Sequence, residues 1–253
     1  MITLKSYNDI QSMRKGGQIL TDTLKALLKE VEAEVSLLEL DKKAYNLIVK
    51  AGASPSFLGY RGYPASLCIS VNEGVVHGIP NAYRLCQGDI VSLDAGVCYQ
   101  GFHTDASTTV IVGQPPLGAD FKEKNQFLEV GKEALARGIE NARQGLRVGD
   151  ISAAIEKVIT AEGYAIIKEL TGHGVGRALH EDPYIPGFGR PGTGEVLQAG
   201  MTLAVEVIYA KNRPQIKTLS DGWTIVTRDK SWGGLFEKTI LVTRNTAEVL
   251  TLL

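Results

Sequence analysis

The chain has 253 residues, of which 44% are hydrophobic and 22% are charged, as in an ordinary globular protein. A formal net charge of -1 excludes the strongly basic surface selected by nucleic acids or anionic membranes. The three cysteines lack paired spacing, which favours reduced thiols. No apolar run reaches the roughly 18 residues of a membrane span, and the N-terminus lacks a signal-peptide pattern. We therefore expect one cytoplasmic domain over residues 1–253.

Two helices are predicted in the first fifty residues. Apolar residues recur at three- and four-residue steps from Ile10 to Val31, which is the stripe of an amphipathic helix. Ser36 and Glu39 have the spacing of a capping box, and the helix they open should end near Gly52. A Gly- and Pro-rich loop and three predicted strands follow, at residues 59–64, 67–71, 89–97 and 104–112.

The second half repeats this order. Helices are predicted at about 120–141 and 150–162, and strands near 201–210, 223–227 and 235–243. In each half, two helices precede strands that carry a pair of acidic residues. We therefore expect an α+β fold with two related halves around a shared sheet.

Two of these strands carry a carboxylate among apolar neighbours. Glu206 lies within Leu203–Ile208, and Glu237 lies within Gly234–Ile240. Burying a carboxylate costs several kcal/mol or more unless a cation offsets its charge. Together with further acids and histidines upstream, this pattern indicates bound metal ions and hence a metalloenzyme.

Asp94 and Asp105 form a second acidic pair on two strands joined by a short turn. If the turn is centred between Tyr99 and Gln100, the numbers of cross-strand partners sum to 199, and the two aspartates face each other directly. Direct partners have Cβ atoms about 4.5–5.5 Å apart. Like charges at that distance repel, so the pair requires a proton or a cation. The alternative is that both aspartates are surface or turn residues. The alternation of side chains along the two strands places both on the same face of the sheet, which disfavours that alternative.

The four histidines divide into two groups. His173 lies between glycines, in a segment too Gly-rich for a stable helix, and His180 follows seven residues later. His77 lies in a segment punctuated by glycine and proline, where it could meet a substrate. A lone histidine is more often a satisfied structural residue, and His103, beside Phe102, keeps that interpretation.

The combined motifs resemble a known family. They are Asn72-Glu73 with His77-Gly78-Ile79-Pro80, Asp94 with Asp105, Gly172-His173-Gly174 with His180, and the Glu206 and Glu237 strands. This set is similar to the methionine aminopeptidases, from about residue 3 to residue 250. The short gaps from 173 to 206 and from 206 to 237 resemble the bacterial-style type I form, which lacks a helical insertion. The resemblance implies a pita-bread fold: two pseudo-symmetric halves whose antiparallel sheet is covered by helices.

The resemblance also implies a set of metal ligands. Asp94 would hold one metal ion in bidentate fashion, Asp105 and Glu237 would bridge two ions, and His173 and Glu206 would complete the second site. A carboxylate-rich site with one imidazole suits Mn²⁺, Fe²⁺, Co²⁺ or Zn²⁺. Two such ions can share a water and lower its pKa toward neutrality.

Catalytic roles follow from the same resemblance. Glu206 would relay the proton of the water, His180 would donate a hydrogen bond to the peptide carbonyl, and His77 would steady the scissile amide. The substrates implied are N-terminal peptides of nascent proteins with a small second residue. We further expect a monomer that acts near the ribosome and binds neither nucleic acid nor membrane.

A side-chain pocket for methionine is implied at Tyr60, Tyr63, Cys68 and Trp223. Aromatic and sulfur groups suit a flexible, polarizable thioether. The alternative is that these are plain core aromatics. The chain departs from the family pattern at five positions that bear on pocket shape, namely Phe57, Leu170, Leu179, Gly187 and Val207.

Two other functions remain open from the sequence. The wider pita-bread metallopeptidases share the five-ligand order, so a proline-specific aminopeptidase is one alternative. A metal-free binding scaffold is the other, although such relatives generally lose ligands and this chain keeps all five.

Overall fold

The helices carry the sequence signals expected of them. The computed structural model describes residues 2–113 and 118–253, and within these the helices are α1 Tyr7–Leu28, α2 Leu37–Lys50, α3 Ala119–Glu140 and α4 Val148–Ala161. The capping box of α2 is confirmed, since Ser36 Oγ accepts from the Glu39 N–H and the Glu39 carboxylate accepts from the Ser36 N–H. Val31 lies beyond the end of α1, so the predicted stripe was three residues too long.

The strands are mostly short, apart from four long ones. In the first half they are β1 Ser54–Pro55, β2 Leu67–Val71, β3 Gly74–Val76, β4 Ile90–Tyr99 and β5 Phe102–Ile111. In the second half they are β6 Ala165–Ile166, β7 Thr171–Gly174, β8 Glu181–Pro186, β9 Thr202–Ala210, β10 Ile216–Thr218, β11 Ile225–Thr227, β12 Gly233–Val242 and β13 Ala247–Val249.

One antiparallel sheet joins the two halves. Its main order is β1-β4-β5-β12-β9-β7-β8, with β2 on β4, β6 on β9 and β13 on β12. The long hairpin β4–β5 belongs to the first half, the pair β9–β12 belongs to the second, and β5 meets β12 in the middle. A separate small sheet has the order β10-β11-β3.

The helices cover the sheet in two groups. Leu20, Leu24 and Leu40 of α1 and α2 share a buried cluster with β4 residues of the first half. Ile151 and Ile155 of α4 lie in a second cluster, together with α3 and β9 residues. This arrangement confirms the predicted α+β architecture with a helix-covered antiparallel sheet. No helix in the described ranges is both long enough and apolar enough to cross a membrane.

The predicted register of the β4–β5 hairpin was wrong by one step. Partner numbers sum to 201, because the two-residue turn is Gln100-Gly101 and Tyr99 pairs with Phe102. Both turn residues have positive φ, 51° and 77°, as a type I′ turn requires. Asp94 therefore lies opposite Ser107 and not opposite Asp105. The two aspartates remain on one face. Each residue's partner is two positions from the predicted one, and residues two apart on a strand point to the same face.

Candidate metal centre and active site

A single row across four strands holds three of the predicted ligands. Asp94 on β4 pairs with Ser107 on β5, Ser107 pairs with Glu237 on β12, and Glu237 pairs with Glu206 on β9. Cross-strand partners point to the same face, so these side chains converge. Ser107 was missed from the sequence, because its place depends on register.

The other two predicted ligands lie one step along the strands. Asp105 is two residues from Ser107 on β5, and His173 on β7 pairs with Ala204, two residues from Glu206. Ligand atoms of Asp105, His173 and Glu237 all lie within 4.8 Å of one another. The Nε2 atom of His173 is 3.4 Å from Glu206 Oε1. The five predicted ligands are therefore brought together.

Backbone contacts hold the ligands in place. Asp105 N–H donates to Thr239 Oγ1 at 2.8 Å, and Thr239 Oγ1 donates to the Asp105 carbonyl at 2.7 Å. His173 Nδ1 lies 2.8 Å from the Gly174 carbonyl, so the neutral ring with its proton on Nδ1 leaves the Nε2 lone pair facing the acids. Gly174 has no space for a side chain, because an added Cβ would lie 2.2 Å from the Asp182 carbonyl oxygen. The glycine next to His173 thus permits close packing of β7 against β8.

The electrostatics of the cluster favour a cation. Burial raises the pKa of Asp94 to about 7. Burial, followed by repulsion from neighbouring acids, raises the pKa values of Asp105, Glu206 and Glu237 well above their ordinary range. These carboxyl groups would retain protons near neutral pH unless positive charge were supplied.

Hydrogen bonding leads to the same result. Asp94 Oδ1, Asp105 Oδ1 and Glu237 Oε1 are buried oxygens without a hydrogen-bond partner among the described residues. Buried polar atoms are rarely left without partners in native proteins. The oxygen-rich donor set with one imidazole nitrogen matches the preference of hard or borderline divalent cations. The residues present therefore fit divalent metal ions.

A cavity of about 290 Å³ opens above the acids. All eleven predicted site residues line it, namely Tyr60, Tyr63, Cys68, His77, Asp94, Asp105, His173, His180, Glu206, Trp223 and Glu237. His103 is not among its lining residues and instead lies 2.9 Å from Ser56 Oγ through Nδ1, which agrees with a structural role.

The histidines approach the cavity from different directions. The ring of His180 lies 4.2 Å from that of His173, measured between centroids. Its Nδ1 atom is 2.8 Å from the Tyr60 hydroxyl. His77 has a positive φ of 57° and its ring meets Trp223 edge to face, with centroids 6.3 Å apart. Burial lowers the pKa of His77, and it lowers that of His180 to about 3, with help from the nearby His173, so both rings are neutral at pH 7.

One wall of the cavity is apolar and aromatic. Tyr63 belongs to a buried cluster with Cys68 and Leu179, and Trp223 packs against this cluster, meeting the Tyr63 ring edge to face with centroids 5.1 Å apart. The Tyr63 hydroxyl faces away into the backbone, 2.9 Å from the carbonyls of Leu67 and Gly78. Its ring, not its hydroxyl, is therefore the part available to a ligand.

Three of the five departures from the family pattern line this cavity. Phe57, Leu170 and Leu179 do so, whereas Val207 and Gly187 are not among the lining residues. Val207 is buried in the second-half core instead. Sequence reasoning did not identify Arg61, Glu169 and Tyr184 as lining residues. Arg61 directly follows the predicted pocket residue Tyr60, whereas only the fold brings Glu169 and Tyr184 to the cavity.

The fold and the buried ligand set define a metallopeptidase of the pita-bread type, and comparisons with known proteins agree. Metallopeptidase family M24 matches residues 11–244. The methionine aminopeptidase of Clostridium perfringens is 45% identical over 253 residues, covering 100% of both chains. Methionine aminopeptidase 1 of Bacillus subtilis is 40% identical over 251 residues, covering 99% of both. The crystal structure of methionine aminopeptidase from Rickettsia prowazekii matches with a TM-score of 0.95 and 36% identity, covering 100% of both. The chain belongs to family M24 and, within it, to the methionine aminopeptidases.

Proposed function

We propose that this enzyme removes the N-terminal methionine from peptides and proteins, with a preference for a small second residue. Family membership over the full chain supports the reaction. The observation that carries the proposal is the convergence of four carboxylates and one imidazole beneath a cavity with an aromatic wall. The expected substrates are the N-terminal peptides of newly made proteins.

The proposed metal site uses all five predicted ligands and holds two divalent ions. Asp94 would belong to one ion, His173 and Glu206 to the other, and Asp105 and Glu237 would bridge them. The orphaned oxygens of Asp94, Asp105 and Glu237 support this assignment. When bound, such ions supply Lewis acidity and lower the pKa of water. Mn²⁺, Fe²⁺, Co²⁺ and Zn²⁺ all suit the donor set.

Glu206 is proposed to hold the proton that the attacking water gives up. Its side chain is only 13% exposed, and Oε1 lies 3.4 Å from His173 Nε2, at the floor of the cavity. Glu206 would then transfer this proton to the departing amine.

His180 is proposed to stabilise the charge that develops on the peptide carbonyl oxygen. If the Tyr60 hydroxyl donates to Nδ1, the neutral ring keeps its proton on Nε2, which can donate to the substrate. Tyr60 would thus orient His180 as well as line the pocket. His77, which lines the same cavity, would contact the scissile amide.

The pocket formed by Tyr60, Tyr63, Cys68 and Trp223 is proposed to bind the methionine side chain. Edge-to-face packing of Tyr63 on Trp223 gives it a rigid aromatic wall. Thioether sulfur makes favourable contacts with aromatic ring edges. The free α-amino group of the substrate would lie near Asp94, which limits cleavage to the first peptide bond.

We also propose that the enzyme works as a cytoplasmic monomer near the ribosome, where nascent chains emerge, without binding nucleic acid or membrane directly. Sedimentation of the purified protein, alone and with ribosomes, tests the monomeric state and the ribosome proximity. A stable dimer would contradict the monomeric state, and failure to co-sediment with ribosomes at any salt concentration would contradict ribosome proximity.

The reaction is tested by peptide hydrolysis. Purified protein with added Mn²⁺ or Co²⁺ should release methionine from Met-Ala-Ser and leave Ala-Pro-Ser intact. Release of alanine from Ala-Pro-Ser, with Met-Ala-Ser left intact, would identify a proline-specific enzyme. No release together with no bound metal after anaerobic purification would identify a metal-free scaffold. Anomalous X-ray scattering from metal-grown crystals would give ion number, identity and ligands.

A further inference from the structure

The loop that carries His180 is tied to the N-terminal segment by an ion pair. Lys5 Nζ lies 2.5 Å from Glu181 Oε2, and the two side chains are only 4% and 16% exposed. Glu181 directly follows His180 in the chain and begins β8. The pair joins residues 176 positions apart.

The loop closes around the lysine. Glu181 Oε1 accepts from the Ala178 N–H at 3.1 Å, and Lys5 Nζ also donates to the Thr3 carbonyl at 3.1 Å. At Gly176 an added Cβ would lie 2.3 Å from Lys5 Cε, so this glycine makes room for the lysine stem. The main chain of Lys5 is fixed as well, because its N–H donates to the Gly200 carbonyl at 2.9 Å.

The His180 ring has one hydrogen-bond partner among the described residues, the Tyr60 hydroxyl, which lies 2.8 Å from Nδ1. The backbone that places the ring is therefore set by the segment between Gly176 and Glu181. The backbone N–H of His103 donates to the Gly176 carbonyl at 2.7 Å, and this bond holds the start of that segment. The end of the segment is held by the pairing of Glu181 with Gly174 of β7 and by the Glu181 side chain, which faces the Lys5 ammonium group.

We propose that Lys5 is a positioning residue for His180, acting through Glu181. This inference rests on the proposed function in one respect, namely that His180 acts on the substrate. Removal of the ammonium group leaves a largely buried carboxylate without its cation, and such a group moves toward water or another donor. Because Glu181 and His180 are adjacent, that movement displaces the imidazole. A displacement of about 1 Å at a catalytic group can cost about 100-fold in rate.

The test begins with Lys5→Met, which keeps the apolar stem and removes the charge. We expect kcat on Met-Ala-Ser to fall at least about tenfold, with KM and metal content within twofold of wild type. Arg14→Met is the matched control, since Arg14 and Glu248 form another ion pair between distant segments, at 2.7 Å, away from the cavity. The control should retain wild-type kcat.

A second measurement reports on the ring directly. The chain has four histidines, so labelled imidazoles in the diamagnetic zinc-loaded enzyme give a spectrum that can be assigned with His180→Ala. Lys5→Met should shift the His180 signal, and Glu181→Gln, which keeps the shape of the side chain, should shift it too. In the His180→Ala background, Lys5→Met should cause no further loss of kcat.

Two results would overturn the proposal. One is an unchanged His180 signal in both Lys5→Met and Glu181→Gln. The other is a loss of kcat that is equally large with and without His180. If Lys5→Met does not fold, the same kcat and imidazole measurements are made on Glu181→Gln and on the double variant Lys5→Met/Glu181→Gln. The double variant removes both charges of the ion pair, so it leaves no unpaired buried charge to prevent folding. Failure of the wild-type enzyme to release methionine would count against the proposed function alone, since the imidazole signal is measured without substrate.

Discussion

Glu206 and Glu237 are direct cross-strand partners at the centre of the main sheet. Direct partners have Cβ atoms about 4.5–5.5 Å apart, and like charges at that separation destabilise a sheet. Among the described residues, no lysine or arginine forms an ion pair with either glutamate, and His173 is the one basic side chain within ion-pair distance of Glu206. A bound cation resolves this repulsion, so the pairing is the clearest structural reason to expect metal at this site.

Replacing Asp105 by asparagine should abolish peptidase activity, by more than about 100-fold. The amide keeps the shape but removes the negative charge of a proposed bridging ligand. Methionine release from Met-Ala-Ser and the metal content of the purified variant measure the effect. Asp22→Asn, an exposed site on α1, is the control and should behave as wild type. Normal turnover in Asp105→Asn would contradict the bridging role.

Replacing His180 by alanine should lower kcat by about 100- to 1000-fold, the usual effect of losing one donor to a developing oxyanion. Metal content should stay near that of wild type, because His180 is not a proposed ligand. Loss of metal in this variant would instead place His180 among the ligands. Elemental analysis beside steady-state kinetics separates the two outcomes.

Replacing Leu179 by phenylalanine should change the preference among first residues by roughly tenfold. Leu179 is 3% exposed and lines the cavity beside Phe57, so a larger ring there narrows the side-chain pocket. Relative kcat/KM for Met-Ala-Ser and norleucyl-Ala-Ser measures the change. Leu38→Phe, on the exposed face of α2, is the control. An unaltered preference in Leu179→Phe would remove this residue from the pocket.

The metal-free protein should lose stability as pH rises from 7 to 8. Asp94 has its pKa raised to about 7, and Asp105, Glu206 and Glu237 have theirs raised well above the ordinary range. In this window the unfolded chain has already released these protons. Asp94, with its native pKa at about 7, is giving up its proton, whereas the raised pKa values of the other three acids favour retention of their protons in the native state. Stability therefore falls with pH, by up to about 1.4 kcal/mol per pH unit for each acid that stays protonated and by less for Asp94.

Titration of the histidines does not reverse this fall in stability between pH 7 and pH 8. Their native pKa values are lowered, so above pH 7 they are mostly neutral in both states and contribute little. Urea unfolding at pH 7 and pH 8 measures the difference, and Asp105→Asn should reduce it. With saturating Mn²⁺ the fall should disappear, since metal ions bind the deprotonated ligands. A metal-free protein that is more stable at pH 8 would contradict the raised pKa values.

Much of the local structure was predictable because it depends on neighbouring residues. The Ser36 and Glu39 capping box opens α2 where expected, and strand β2 has the predicted bounds Leu67–Val71. The hairpin register was not predictable from alternation alone. A turn at Gln100-Gly101 and one at Tyr99-Gln100 keep the same face buried. The first is the one adopted, and Gly101, which readily takes the positive φ of a type I′ turn, is the sequence signal that favours it.

The sequence by itself determined which residues are the candidates for the site. Carboxylates within apolar strands and histidines in Gly-rich segments indicated bound metal ions, and the resemblance to the methionine aminopeptidases supplied the five proposed ligands. Only the tertiary structure decided how they meet. The register of β12 between β5 and β9 places Glu237 next to both Ser107 and Glu206, and the closure of the His180 loop on Lys5 joins residues 176 positions apart. Such contacts depend on non-local pairing, which no window of neighbouring residues encodes.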